Sequence, residues 1–141
     1  MMCGIIGIAS NKSVSMNIIN SLKKLEYRGY DSAGLATLNI DRIDEKKCSG
    51  RVEELEKILF KTPSNGNVGI GHVRWATHGI PSIVNAHPHS SEIVSVVHNG
   101  IIENSDEIKK SLENKGLRFK SQTDTEVITL LITEALKDNE P

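Results

Sequence analysis

Apolar and polar positions along this chain fall into short blocks of two different periods. Residues 3–9 are apolar or small throughout and predict a buried strand, with Gly4 and Gly7 where a neighbouring backbone approaches. Ile18, Leu22 and Leu25 then recur at i, i+4 and i+7. They predict a helix face, with Ser13 or Ser15 as its cap. The stretch YRGYDSAG (27–34) is rich in turn formers and reads as a loop. Residues 35–40 predict a strand, Val52, Leu55 and Leu59 a short helix, and 62–67 a polar turn. Residues 68–75, VGIGHVRW, alternate as a strand does, and 93–98, IVSVVH, read as a third. Between them, 76–89 hold too many breakers for regular structure and suit a functional loop. Asn104 with Glu107 and Thr123 with Glu126 are capping-box patterns, opening helices that run to Gly116 and through Leu136.

Strands and helices mix here without a regular βαβ alternation, and the glycine fingerprint of a nucleotide fold is missing. The expected class is α+β, with layered sheet and helix. The 141 residues suit one domain. Lys and Arg total 17 against 18 Asp and Glu, and no basic block forms, so neither nucleic acid nor a membrane is an expected partner. No apolar run approaches the ~20 residues of a membrane span, and no signal-peptide pattern opens the chain. A cytoplasmic location is the expectation, with Cys3 and Cys48 as thiols.

Four polar stretches punctuate the ends of these elements: CG at 3–4, RWATHG at 74–79, HNG at 98–100 and TDTE at 123–126. Together they contain the parts for cleaving an amide. A thiolate is a strong nucleophile at neutral pH but needs a base to form. Were Cys3 the first residue, its own α-amine, titrating near ~7.7–8.0, would serve. A buried structural cysteine is the alternative reading. Asn99 and Gly100 offer a side-chain amide and a backbone N–H to an oxyanion, or a plain Asn-Gly turn. Arg74 offers a fork for a carboxylate, or a solvated strand end. Asp124 offers a counter-charge for an ammonium, or an acid favoured by a helix N-terminus. His87 and His89 form an HxH pair, but Pro88 breaks the strand between them and no carboxylate or cysteine cluster joins them, so no metal site is assigned.

The motifs MCGIIGI, LEYRGYDSAGLA, GHVRWATHG, NAHPH, VVHNGIIEN and TDTEVI, in this order from Met2 to about Leu131, resemble the amino-terminal glutaminase domain of the glutamine–fructose-6-phosphate aminotransferase family. That domain is a class II glutamine amidotransferase of the amino-terminal-nucleophile hydrolase group. The resemblance implies an αββα sandwich, with only about its first half within residues 1–141 and the sugar-isomerase domains absent. It implies L-glutamine as substrate, hydrolysed to glutamate and ammonia, and no cofactor. Cys3 corresponds to the nucleophile and, through its amine, the base. Asn99 and Gly100 correspond to the oxyanion hole, Arg74 to the carboxylate clamp and Asp124 to the ammonium partner. Trp75, Thr77 and His78 correspond to pocket-lining positions, and Arg28 and Tyr30 to a loop near the nucleophile.

Two departures from the family pattern carry expectations of their own. The chain begins Met-Met-Cys where the family begins Met-Cys, so translation is expected to start at Met2, whose removal would free the Cys3 amine. The span is short, so a separately encoded remainder of the synthase is an expected partner. The alternatives are a catalytically inactive remnant and a glutamine-binding module.

Overall fold

The computed structural model describes residues 2–76 and 79–138. Its centre is a four-stranded antiparallel sheet of β1 (Gly4–Ala9), β2 (Ser32–Asn39), β3 (Arg42–Ser49) and β4 (Val68–Arg74), in the order β1-β4-β2-β3. Successive side chains on a strand point to opposite faces, and the two faces of this sheet do different things.

One face is the hydrophobic core. Ala33, Leu35, Cys48 and Val73 pack beneath α1 (Ser15–Leu25) and α2 (Val52–Lys61), which contribute Ile18, Ile19, Leu22, Val52, Leu55 and Leu59. The helical spacing of these apolar residues is what turns one stripe of each helix onto the sheet. Gly71 lets α1 lie directly on β4, because a Cβ there would stand 2.5 Å from Ile18 Cγ2. Burial pushes the Cys48 thiol up to about 11, which makes it a core group rather than a reactive one.

The other face carries a crossing segment. It contains a cis His87–Pro88 bond, then β5 (His89–Ser90) and β6 (Ser95–Val96), paired antiparallel with His89 opposite Val96. The main-chain oxygen of His87 presses on β2 at Gly34, where a Cβ would be 2.1 Å from it. Outside this ribbon α4 (Thr125–Lys137) packs on β5 and β6, and α3 (Ser105–Asn114) packs on α4. Helices, sheet, ribbon and helices form successive layers of an α+β structure, as the mixed pattern of the chain predicts. Leu38, Val68 and Ile93 remain exposed at the far end of the ribbon.

A methyl group at Gly34 has no room, and the atom it meets is backbone. Gly34→Ala is therefore expected to destabilise the fold by about 1–3 kcal/mol, the range for overpacking a closed contact. Urea denaturation checks this, and an unchanged midpoint would mean that the ribbon does not sit on β2 this closely.

Several local expectations are corrected. β3 was not anticipated, because its sequence RIDEKKCS is mostly charged. It is an edge strand, where charges discourage further pairing. The turn into it carries no Asn-Gly signal and instead places Ile40 at φ 59°. The expected strand 93–98 shrinks to β6, and the loop 27–34 gives up Ser32–Gly34 to β2. Neither Ser13 nor Ser15 caps α1. Val14 occupies that position, and the Ser13 hydroxyl donates to the Ser64 carbonyl at 3.2 Å. Neither Asn104 nor Thr123 makes a side-chain cap, and Asp124 is the residue flanking α4. Glu126 turns back to accept from the Lys120 and Ser121 N–H groups at 2.8 and 2.7 Å.

Candidate active site

The ends of β1 and β4 lie side by side, since Gly4 pairs with Val73. This brings Cys3 and Trp75, 72 positions apart in the chain, into contact. The Trp75 N–H donates to Cys3 Sγ at 3.1 Å. A cleft of about 460 Å³ opens here, lined by Met2, Cys3, Arg28, Arg74, Trp75, His87, His98, Asn99, Gly100, Ile101, Thr123, Asp124 and Thr125.

The residues singled out from the sequence converge in this cleft. Asn99 Nδ2 donates to the Cys3 carbonyl at 3.0 Å, so the amide stands directly beside the thiol-bearing residue. Gly100 has φ +148°, and a Cβ there would meet the His98 ring at 3.0 Å, so glycine suits both the backbone and the space. Arg74 is 3% exposed, and its guanidinium reaches the Gly79 and Ile80 carbonyls at 3.3 and 3.4 Å. Burial lowers its pKa, and Asp31, Cys3 and Asp124 act against that shift. The guanidinium remains a cation at any ordinary pH. Asp124 accepts from the Ile102 N–H through Oδ2 at 2.7 Å. Arg28 lines the cleft, whereas Tyr30 stands behind it, edge-on to Trp75 at 6.5 Å and beneath Arg51 at 5.0 Å. Thr77 and His78 lie outside the described residues.

The structure adds residues that sequence reasoning passed over. Asp31 accepts from the Ala76 N–H and from the Ser32 hydroxyl, which ties the segment after β4 to the segment before β2. Asn85 donates to the Ile80 carbonyl at 2.9 Å and to Gln122 Oε1 at 3.1 Å, and accepts from the Gln122 N–H at 2.8 Å. One amide thus fixes the Arg74 loop to the turn before Asp124. Both residues stand inside the motifs YRGYDSAG and NAHPH, which was the available signal. Their partners, 37 and 45 positions away, were not legible.

Three buried histidines underlie the cleft. His72 stacks on His87 at 4.1 Å between centroids, and His87 meets His89 edge-on at 4.8 Å. Burial pushes His72 down to about 4 and His89 down to about 3, and it lowers His87 as well. All three are neutral at pH 7. Among the described residues no three His, Cys, Asp or Glu side chains are grouped to hold a metal ion.

A thiol, an amide donor beside it, a buried cation and a carboxylate in one cleft can bind a zwitterionic amino acid and attack its side-chain amide. Comparison with known proteins agrees with this chemistry. Residues 57–138 match the family model described as a glutamine amidotransferase domain. The chain is 54% identical over 136 residues to the glutamine–fructose-6-phosphate aminotransferase (isomerizing) of Bartonella henselae. It is 56% identical over 133 residues to the protein of the same name from Clostridium acetobutylicum. These alignments cover 96% and 93% of this chain and 22% of each relative, so the chain spans about a fifth of their length. Among solved structures, the glutamine phosphoribosylpyrophosphate amidotransferase of B. subtilis, complexed with ADP and GMP, superposes with a TM-score of 0.79 at 29% identity, covering 95% of this chain and 30% of that one. A second structure, titled as the allosteric regulatory enzyme of purine biosynthesis, gives 0.80 at 29% identity, covering 95% and 31%. By its sequence match and its fold, this chain belongs to the glutamine amidotransferase domain family.

Proposed function

We propose that this chain is the glutaminase part of a glutamine–fructose-6-phosphate aminotransferase, hydrolysing L-glutamine to glutamate and ammonia for glucosamine 6-phosphate synthesis. The observation that carries the reading is the meeting of Cys3, Asn99, Arg74 and Asp124 around one cleft. Arg74 holds the substrate α-carboxylate. Asp124 keeps Oδ1 for the α-ammonium while Oδ2 is engaged with Ile102. Trp75 lines the pocket, Thr77 and His78 correspond by resemblance to substrate-binding positions, and Arg28 and Tyr30 belong to the loop beside the nucleophile.

The chemistry follows from these positions. The Cys3 α-amine takes the thiol proton, and the thiolate adds to the side-chain carbonyl carbon of glutamine. The resulting oxyanion accepts from Asn99 Nδ2 and the Gly100 N–H. The proton returns to the amide nitrogen, ammonia leaves, and a thioester remains. Water, deprotonated by the same amine, hydrolyses the thioester to glutamate and restores the thiol. The active form therefore begins at Cys3. Met2 lines the cleft mouth, so its removal also opens the approach to the sulfur. The rest of the synthase passes the ammonia to fructose 6-phosphate in a cytoplasmic setting. No helix of the described residues is long and apolar enough to cross a membrane.

The test is incubation with L-glutamine, with glutamate and ammonia expected in equal amounts. A glutamine-like diazoketone should stop the reaction and leave a mass adduct on the Cys3 peptide. Glutamine binding without turnover in protein beginning at Cys3 supports the binding-module alternative. Absence of both turnover and adduct in protein beginning at Cys3 rejects the proposal.

A further inference from the structure

His72 is fully buried on β4, two residues before Arg74, and does not line the cleft. Its Nε2 lies 2.8 Å from Asn99 Oδ1, and its Nδ1 is buried without a hydrogen-bond partner among the described residues. These two facts fix its tautomer. Asn99 directs Nδ2 to the Cys3 carbonyl, so the end facing His72 is the oxygen, an acceptor. Nε2 must then carry the proton. Nδ1 keeps only a lone pair, which is cheaper to leave unmatched than a buried N–H. The ring lies flat against His87, 13° between planes, so stacking holds the direction of the N–H.

An asparagine amide can flip, exchanging its oxygen and nitrogen. A flipped Asn99 would set its NH₂ against the His72 N–H and turn its oxygen toward the place where negative charge develops. We propose that His72 is a positioning residue for the glutaminase reaction: its Nε2–H locks the Asn99 amide with Nδ2 facing Cys3 and the oxyanion. This rests on the glutaminase reading above. His72 touches neither substrate nor sulfur and acts only through Asn99.

The test compares His72→Leu, which has no donor, with His72→Gln, whose side-chain N–H₂ reaches a similar point. Removing an oxyanion donor outright lowers kcat about 10²–10³-fold. Loss of its orientation alone should lower kcat by about 10–100-fold in His72→Leu. KM for glutamine and the rate of Cys3 modification by iodoacetamide should stay within about twofold, because neither needs an oxyanion donor. His72→Gln should recover most of kcat. A His72→Leu enzyme with wild-type kcat, or a His72→Gln enzyme as slow as His72→Leu, overturns the proposal. Nitrogen-15 NMR of the wild-type histidine ring decides the geometry independently of activity. Nε2 protonated and Nδ1 bare between pH 5.5 and 8 is the expected result, and a protonated Nδ1 overturns it. If the wild type releases no glutamate while the ring keeps this tautomer, the failure belongs to the glutaminase reading and not to the hydrogen bond.

Discussion

Cys3→Ala is expected to abolish glutamate release, with a fall of at least 10⁴-fold on the order-of-magnitude scale of nucleophile deletions. The expectation is this large because no neighbouring group can take over. Among the described residues lining the cleft the remaining hydroxyls are Thr123 and Thr125, and they are hydrogen-bonded to His89 and His98 at 2.7 and 3.2 Å; the carboxylate of Asp124 is engaged with Ile102. Cys48 is no substitute, being buried in the core on the far face of the sheet. Binding should survive, since the deletion leaves the charged groups Arg74 and Asp124 in the cleft. Calorimetry should therefore find glutamine affinity in Cys3→Ala within a few-fold of wild type. Intact mass of the active wild-type protein provides the companion measurement and should show neither Met1 nor Met2. Residual turnover in Cys3→Ala above a hundredth of wild type would remove Cys3 from the mechanism, and full activity in material carrying both methionines would remove its amine.

Acid should destabilise the fold well before ordinary carboxylates titrate. His72, His87 and His89 are 0%, 5% and 4% exposed, and all three are held below the usual histidine pKa by burial. In the unfolded chain each regains a value near ~6.5. The sign follows directly. Above that value both states hold the rings neutral, and the stability is complete. As pH falls the unfolded state binds protons that the native state refuses, so unfolding becomes easier. The loss runs down to the native values, about 4 for His72 and about 3 for His89, and levels off beneath them. The slope per ring grows toward about 1.4 kcal/mol per pH unit below the unfolded value, so each ring costs about 1 kcal/mol and three rings roughly 3 kcal/mol between pH 6.5 and 5.5. That is a large share of the ~5–15 kcal/mol that holds a typical domain together. Urea midpoints at pH 7.5, 6.5 and 5.5 should fall slightly over the first step and about three times as far over the second. A midpoint that is flat down to pH 5.5 would show that these rings are not buried as described.

The two effects draw on different faces of what the sequence made legible. Ile18 and Leu22 announced α1 through helical spacing, and both are fully buried on the sheet. The alternation of 68–75 announced β4, and the apolar start announced β1. In contrast β3 carries Asp44, Glu45, Lys46 and Lys47, whose paired charges satisfy one another at 2.6 Å (Lys46–Asp44) and 3.6 Å (Lys47–Glu45) along an edge. Nothing in such a run separates an edge strand from a solvated loop, because the partner strand supplies the pairing. The capping boxes misled for a related reason. The Glu126 carboxylate found better donors in the turn before it, at Lys120 and Ser121.

What the sequence determined alone was the set of candidate reacting groups and the main elements. A thiol, an amide, a guanidinium and a carboxylate have few joint uses, and apolar period reads directly as helix or strand. The tertiary structure decided which neighbours hold those groups. His72 on Asn99, Asp31 on Ala76 and Asn85 on Gln122 join segments 27, 45 and 37 residues apart. Such pairs have no local signature, because a hydrogen bond depends on where folding brings two atoms, and that place is set by the packing of the whole sheet and the ribbon across it.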